Sequence, residues 1–235
     1  METLLSRQRD EQEESHWLSV SDLMAGLMMV FLFIAVALMQ SAVSERDAMA
    51  DIAKTYRDTQ LAIYEALLDE FADELKRWNA DIDQKTLTFT FKSPEVLFDE
   101  GKSALKVEYK NLLADFFPRY LEVLQPYRET ISEIRIEGHT NSQWNTYVSD
   151  DEAYFKNMEL SQGRTRAVLE YLFEIPKSLQ YLSWMKSNVA AVGLSSSKLI
   201  YDKQGIEDTE SSRRVSFRII TNADEQIGKI LSKKP

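Results

Sequence analysis

Thr86-Leu87-Thr88-Phe89-Thr90-Phe91 alternates hydroxyl and apolar side chains without a break. Successive strand residues point to opposite faces, so residues 86–91 read as a β-strand with one buried side. Everything N-terminal to this point follows another period. Residues 45–93 contain neither Gly nor Pro, and Leu61, Tyr64, Leu68, Phe71, Leu75 and Trp78 recur three and four residues apart, as the a and d positions of a coiled coil do. The run covers about three heptads. Two arrangements are compatible with it: a helix that pairs with another helix, and an amphipathic helix lying on the adjacent domain. Either is a stiff spacer.

Further upstream, Leu23 to Ser44 is a stretch of 22 residues without a charge. At about 1.5 Å per helical residue it crosses the roughly 30 Å hydrocarbon layer. The preceding segment is acidic (Asp10, Glu11, Glu13, Glu14) and the apolar run is long, which does not fit a cleavable signal peptide. Trp17 stands where an interfacial aromatic would lie. Arg7 and Arg9 on one side balance Arg46, Lys54 and Arg57 on the other, so charge alone does not orient the span.

Asp22 is the informative residue of this region. It falls about one and a half turns into the apolar helix, where a carboxylate costs a few kcal/mol unless it meets a partner, a wet cavity or a proton. The alternative is a carboxylate at the helix end that reaches the headgroups or caps the helix. Ser19, Ser21, Ala25 and Gly26 surround it with small side chains that let another helix come close. A carboxylate in an apolar site can take a proton from one side and release it to the other. Each charge moved is worth about 2.3 kcal/mol per 100 mV. One span cannot supply both half-channels, so other subunits are required.

Composition narrows the field. With 28 Lys+Arg against 38 Asp+Glu the net charge is −10, which argues against nucleic acid, since phosphate binding needs cations. The charge is uneven: −3 over residues 1–16, −5 over 41–85, and about −1 beyond. The chain has no cysteine and two histidines, His16 and His139, so disulfides, thiolate metal sites, multi-histidine metal sites and His-dependent triads are not expected. No nucleophile–base pair or phosphate loop is present. The expectation is a protein that is not an enzyme and has no cofactor or metal.

Downstream of the first strand, Tyr109, Leu112, Leu113, Phe116, Phe117, Tyr120, Leu121 and Leu124 form a helical stripe within 104–124, which Pro118 should bend or split. Ile134-Arg135-Ile136-Glu137 reads as a second strand, 157–173 as a second helix, Val189 to Val192 as a third strand, and Val215 to Ile219 as a fourth. Trp144, Tyr147, Tyr154 and Phe155 fall in an unusually long connection, 142–156, where they would either stack on sugars or pin the loop. Gly193 and Gly205 are read as turns. The whole is an α+β chain: one N-terminal transmembrane helix, a helical stalk, and an α/β sandwich domain.

Four motifs carry a resemblance: Phe98-Asp99-Glu100-Gly101 with Leu105-Lys106; Ile136-Glu137-Gly138-His139-Thr140-Asn141; Asn157-Met158-Glu159-Leu160-Ser161-Gln162-Gly163-Arg164; and Ser212-Arg213-Arg214-Val215. In order and spacing, over residues 87–220, they are similar to the OmpA-like peptidoglycan-binding domain, which implies a mixed sheet. Joined to a single span with an Asp near its Met-rich start, the chain resembles MotB-type stator subunits. The short chain, the Ser21-Asp22-Leu23-Met24 start and the expanded loop after Asn141 resemble the B-type subunits of Zorya anti-phage systems more than flagellar ones.

The resemblance implies a chain divided into a cytoplasmic tail (1–16), a transmembrane helix (17–44), a stalk (45–85), a periplasmic OmpA-like domain (86–222) and a C-terminal tail (223–235). It would lie in the inner membrane with a single pass. It would form a homodimer inside a pentamer of MotA-like or ZorA-like channel subunits and grip peptidoglycan. Asp22 would translocate protons. Asn141, Asn157, Leu160, Arg164 and Arg213 would bind the wall, with Arg164 clamping the carboxylate of diaminopimelate in the stem peptide. A guanidinium suits a carboxylate because it offers a planar fork of donors. The family has Asp where this chain has Asn141, which accepts from an ammonium without neutralising it; Asp150 or Asp151 would then have to supply the charge. Leu160 fits the core as well as the site, and the roles of Arg213 and Arg214 stay open. A flagellar stator and a passive wall tether are the competing functions.

Overall fold

The computed structural model describes residues 2–92, 97–99, 101–145 and 147–222, with side chains for all of these except 2–16, 18 and 19. The expected C-terminal tail 223–235, Glu100 of the first motif and the side chains of the N-terminal tail lie outside the described residues.

Helix α1 is Glu2–Arg77. Its residues through Ala53 belong to one compact unit, and the chain from Lys54 onward forms the second. In the first unit the apolar side chains from Leu23 to Val43 stay largely exposed, among them Leu23, Met28, Phe31, Phe33 and Leu38. This stretch is long and apolar enough to cross a membrane. A helix that is apolar all round has no polar face to offer water.

In the second unit the last turns of α1 are built into the core. Ile63, Leu67 and Phe71 are fully buried, Tyr64, Leu75 and Trp78 partly so, and Leu61 and Leu68 are exposed. The stripe that reads as a coiled-coil seam is therefore the inner face of an amphipathic helix lying on its own domain, centred on residues four apart rather than on the heptad positions. Arg119 secures it. Its Nε donates to the Glu70 carboxylate, its Nη1 to Glu74 Oε1 at 3.1 Å and its Nη2 to the Glu70 carbonyl at 2.8 Å, with the guanidinium 4.9 Å over the Phe71 ring. Phe71→Ala is expected to lower the unfolding free energy of this unit by about 3–5 kcal/mol, the cost of an emptied aromatic site. Urea denaturation followed by aromatic circular dichroism measures it, and a loss below 1 kcal/mol would mean that α1 is not part of the core.

After Arg77, Asn79 takes a left-handed conformation (φ 47°) and reverses the chain, a geometry Asn tolerates better than most residues. The residues that follow, expected to continue the stalk, form strand β1 (Ala80–Asp83). β1 pairs antiparallel with β2 (Thr88–Lys92). Between them Asp83 Oδ1 accepts from the Thr86 N–H and hydroxyl at 2.7 and 2.8 Å, closing the turn.

Helix α2 (Val107–Leu124) runs through Pro118 without splitting. Eight of its side chains are buried, and at about 1.5–3 kcal/mol for a large apolar residue this outweighs the roughly 3 kcal/mol an interior proline costs. Phe116 lies at its centre, with ring centroids 5.3, 4.6, 5.1 and 5.2 Å from Phe71, Phe89, Phe91 and Phe217. Strand β3 is Ile131–His139 and helix α3 is Asp150–Glu174. A 3₁₀ turn (Pro176–Tyr181) and α4 (Leu182–Asn188) lead to β4 (Val189–Gly193), and α5 (Thr209–Ser212) precedes β5 (Arg214–Thr221). The sheet order is β1-β2-β5-β3-β4. Only β3 and β4 are parallel among its neighbours, so the sheet is mixed and the chain is α+β.

The long loop is shorter than its sequence reads. Ser149 caps α3 by accepting from Glu152 N at 3.3 Å, so residues 150–156, Tyr154 and Phe155 included, are helical. Gly193 ends β4 rather than marking a turn. It pairs with Gly138 of β3, and α3 passes directly over both. A Cβ would lie 2.4 Å from Gln162 N at Gly193 and 2.8 Å from Ser161 O at Gly138. This close approach brings the middle of α3 to the end of β3.

Candidate functional site

β3 ends at His139, and the next residues run beneath α3. On α3 the positions 157, 160 and 164 are three and four apart and share one face. Together with the segment between β2 and α2 they enclose a groove of about 650 Å³. Asn141, Asn157, Leu160, Arg164 and Arg213, the five expected wall-binding residues, all line it. Leu160 is half-buried on this wall and stands outside the apolar core.

Arg164 is the buried charge of the groove. It is 8% exposed, its Nε donates to Lys102 O at 3.0 Å, and its Nη2 donates to Asp99 O at 3.4 Å. Its guanidinium lies 4.9 Å over the Phe98 ring. These contacts fix the plane of the fork without neutralising it, and no described carboxylate pairs with Arg164. Burial, with the charge of Arg213 nearby, pushes its pKa down to about 10. It remains a cation at neutral pH, held where an incoming anion would relieve both burdens.

Asn157 works differently from a ligand residue. It is 2% exposed, and its Nδ2 donates to the carbonyls of Asn141 at 3.2 Å and Gln143 at 3.1 Å. It shapes the loop that carries Asn141. Arg213 lines the groove and donates from Nε to Thr209 O at 3.3 Å. Arg214, the first residue of β5, is not on the groove wall and donates to the carbonyls of Ser212 and Lys198. The arginine pair is thereby resolved into a groove residue and a packing residue.

Asp150 and Asp151 do not line the groove. Both are exposed in the first turn of α3, where carboxylates favour the helix N-terminus. Among the described residues the carboxylate on the wall is Asp99, and it is 3.3 Å from Lys102 Nζ and 3.6 Å from Lys106 Nζ. Phe98, Lys106, Thr140, Gln143 and Trp144 also line the groove. Trp144 was expected either to stack on sugars or to pin the loop; the other four were assigned no role from sequence, although Phe98, Lys106 and Thr140 stand inside the quoted motifs, which was the available signal. The Thr140 hydroxyl is buried without a partner among the described residues. His139 lies beside Glu137 at 3.6 Å, and burial holds its pKa below the ordinary 6.5 despite that carboxylate.

Asp22 belongs to the first unit. It is exposed on α1, as are Ser21, Ala25 and Gly26, and a Cβ at Gly26 would meet nothing within 4 Å. Residues 22, 25, 26 and 29 share a helix face. Among the described residues no group of acidic or histidine side chains could hold a metal ion.

Residues 97–213 match the OmpA family. The sequence is 50% identical to the Zorya protein ZorB of Escherichia coli (strain ATCC 8739) over 235 residues, 99% of this chain and 100% of that protein. It is 26% identical to the Zorya protein ZorB of Escherichia coli O139:H28 (strain E24377A) over 222 residues, 91% of this chain and 83% of that one. Among solved structures, a putative MotB-like protein from Desulfovibrio vulgaris superposes with a TM-score of 0.49 at 20% identity, covering 73% of this chain and 94% of its own.

Proposed function

The chain belongs to the ZorB family of Zorya proteins, and from that membership we propose that it is the wall-anchored stator subunit of a proton-driven rotary motor in the inner membrane, used in defence against phage. Arg164 carries this reading: a buried guanidinium, already oriented by two carbonyls, faces a groove and has no described carboxylate partner. Such a group recognises a carboxylate, and the diaminopimelate of the peptidoglycan stem provides one. Arg213 adds positive charge on the same wall, Asn141 offers a neutral carbonyl oxygen to the ammonium, and Asn157 holds Asn141 in place.

The other end of the chain supports the motor half of the proposal. α1 carries a stretch able to span a membrane once, with Asp22 near its start. The small residues around Asp22 suit a closely packed channel subunit of the ZorA or MotA kind, which would surround a dimer of this chain with a pentamer and provide water on alternate sides. The N-terminus would be cytoplasmic and the domain from Lys54 onward periplasmic. The anchor keeps the complex from spinning when its partner turns, and the chain performs no covalent chemistry.

Sedimentation with purified peptidoglycan sacculi tests the anchor. The detergent-solubilised protein should pellet with sacculi and be released by free L-Ala-γ-D-Glu-meso-diaminopimelate. Protein that stays in the supernatant would sink the wall-binding half of the proposal.

A further inference from the structure

Trp144 stands on the wall of the groove with 37% of its surface exposed. A large exposed aromatic on a free loop would need no explanation, but this loop is held from several sides. Asn157 Nδ2 donates to the carbonyls of Asn141 and Gln143. The Ser142 N–H donates to Glu207 Oε1 at 3.0 Å, and the Ser142 hydroxyl donates to the same carboxylate. Thr140 N donates to Ser195 O at 2.9 Å. Residues 140–143, immediately before Trp144, are thus tied to α3, to the residues that follow β4 and to the segment near Glu207. A backbone tied down just before the indole leaves less of the loop to be ordered on binding, and an aromatic side chain itself has only two torsions to fix, which is what makes such residues effective anchors.

We propose that Trp144 forms a saccharide-stacking subsite at the mouth of the groove, and that Glu207 is the positioning residue that holds it there through Ser142. The proposal rests on the wall-binding reading above and deepens it. A stem peptide seated at Arg164 is joined through an amide to the lactyl group of N-acetylmuramic acid, so its bound form brings a pyranose ring to the groove's edge. The flat indole face matches the apolar C–H face of such a ring, and the indole N–H can donate to a hydroxyl or acetamido oxygen. Glu207 does not line the groove. Its effect on a ligand therefore passes through the loop.

Isothermal titration of the full-length protein in detergent with two probes tests this. One is free L-Ala-γ-D-Glu-meso-diaminopimelate; the other is the same tripeptide on N-acetylglucosaminyl-N-acetylmuramic acid. The native protein should bind the sugar-bearing probe about ten-fold more tightly, a difference of about 1.4 kcal/mol. Trp144→Ala should erase that advantage and leave the free tripeptide unchanged, and Trp144→Phe should keep most of it. Glu207→Ala should reduce it, with Glu207→Gln, which can still accept from Ser142, restoring part. Equal native affinity for the two probes, or a Trp144→Ala loss that is the same for both, would overturn the subsite and leave the peptide site standing. Failure of the native protein to bind either probe would remove the wall-binding reading and the subsite with it.

Discussion

Asp22→Asn should abolish motor function completely while leaving the wall-binding groove intact. The amide matches the carboxylate in shape and hydrogen-bonding reach, so the helix and its packing against neighbours survive, but an amide does not take up and release a proton at any accessible pH. Transport driven at about 2.3 kcal/mol per charge per 100 mV stops when the only titrating group on the apolar helix is gone. Two measurements check this. Cells carrying the whole defence system with Asp22→Asn should plate phage as efficiently as cells without the system, and proton uptake by vesicles containing the protein with its channel partner should fall to background. The same variant should still pellet with sacculi. Full phage resistance in the Asp22→Asn strain would leave a passive tether as the function, with Asp22 a structural residue.

Arg164→Leu should do the reverse. Removing the guanidinium leaves the ligand carboxylate in a half-enclosed groove without its charge partner, a loss of roughly 2–5 kcal/mol by comparison with truncated buried ion pairs, which is at least about thirty-fold in affinity. Sacculus sedimentation should fall to background, while proton permeation through the assembled motor need not change. Arg164 also donates to the carbonyls of Lys102 and Asp99 and lies over Phe98, so the leucine variant has to be shown folded by its near-ultraviolet spectrum. Arg164→Lys supplies a second reading. It keeps the charge but loses the planar fork, and binding about ten-fold weaker than native is expected. Native-like sedimentation of a folded Arg164→Leu protein would remove Arg164 from the site. Taken together, the two variants separate the two ends of the chain: one should be anchored without being driven, the other driven without being anchored.

The legibility of this molecule follows the range of the interactions involved. The strands around Phe89, Ile136 and Phe217 and the helical stripe of α2 could be read because burial imposes a short repeat on consecutive residues. Pro118 misled because its local penalty is visible in the chain, whereas the packing of Phe116, Phe117 and Tyr120 that outweighs it is not. The choice between the two arrangements of the α1 stripe could not be made from sequence for a related reason. Apolar residues three and four apart show that a helix has an inner face, but they do not say whether that face meets another helix or, as here, Phe89, Phe116 and the sheet.

The candidate groove divides in the same way. That Asn141, Asn157, Leu160, Arg164 and Arg213 belong together was legible through the family resemblance that their motifs carry. Their division of labour was not. Asn157 spends its amide on two carbonyls, Arg213 lines the groove while Arg214 donates to the carbonyls of Ser212 and Lys198, and Asp99 stands on the wall where Asp150 and Asp151 had been expected to contribute. Each of these facts depends on residues far apart in the chain.

By itself the amino-acid order determined an apolar segment long enough to span a membrane with one acid near its start and an α+β domain behind it, since periodicity and composition act locally on whatever chain carries them, while the polar residues worth testing on that domain came from the resemblance its motifs carry. Only the tertiary structure decided that α1 ends inside the domain core, that α3 presses on two glycines to bring Arg164 to the end of β3, and that a pinned loop sets Trp144 at the groove, because those outcomes depend on which distant surfaces meet.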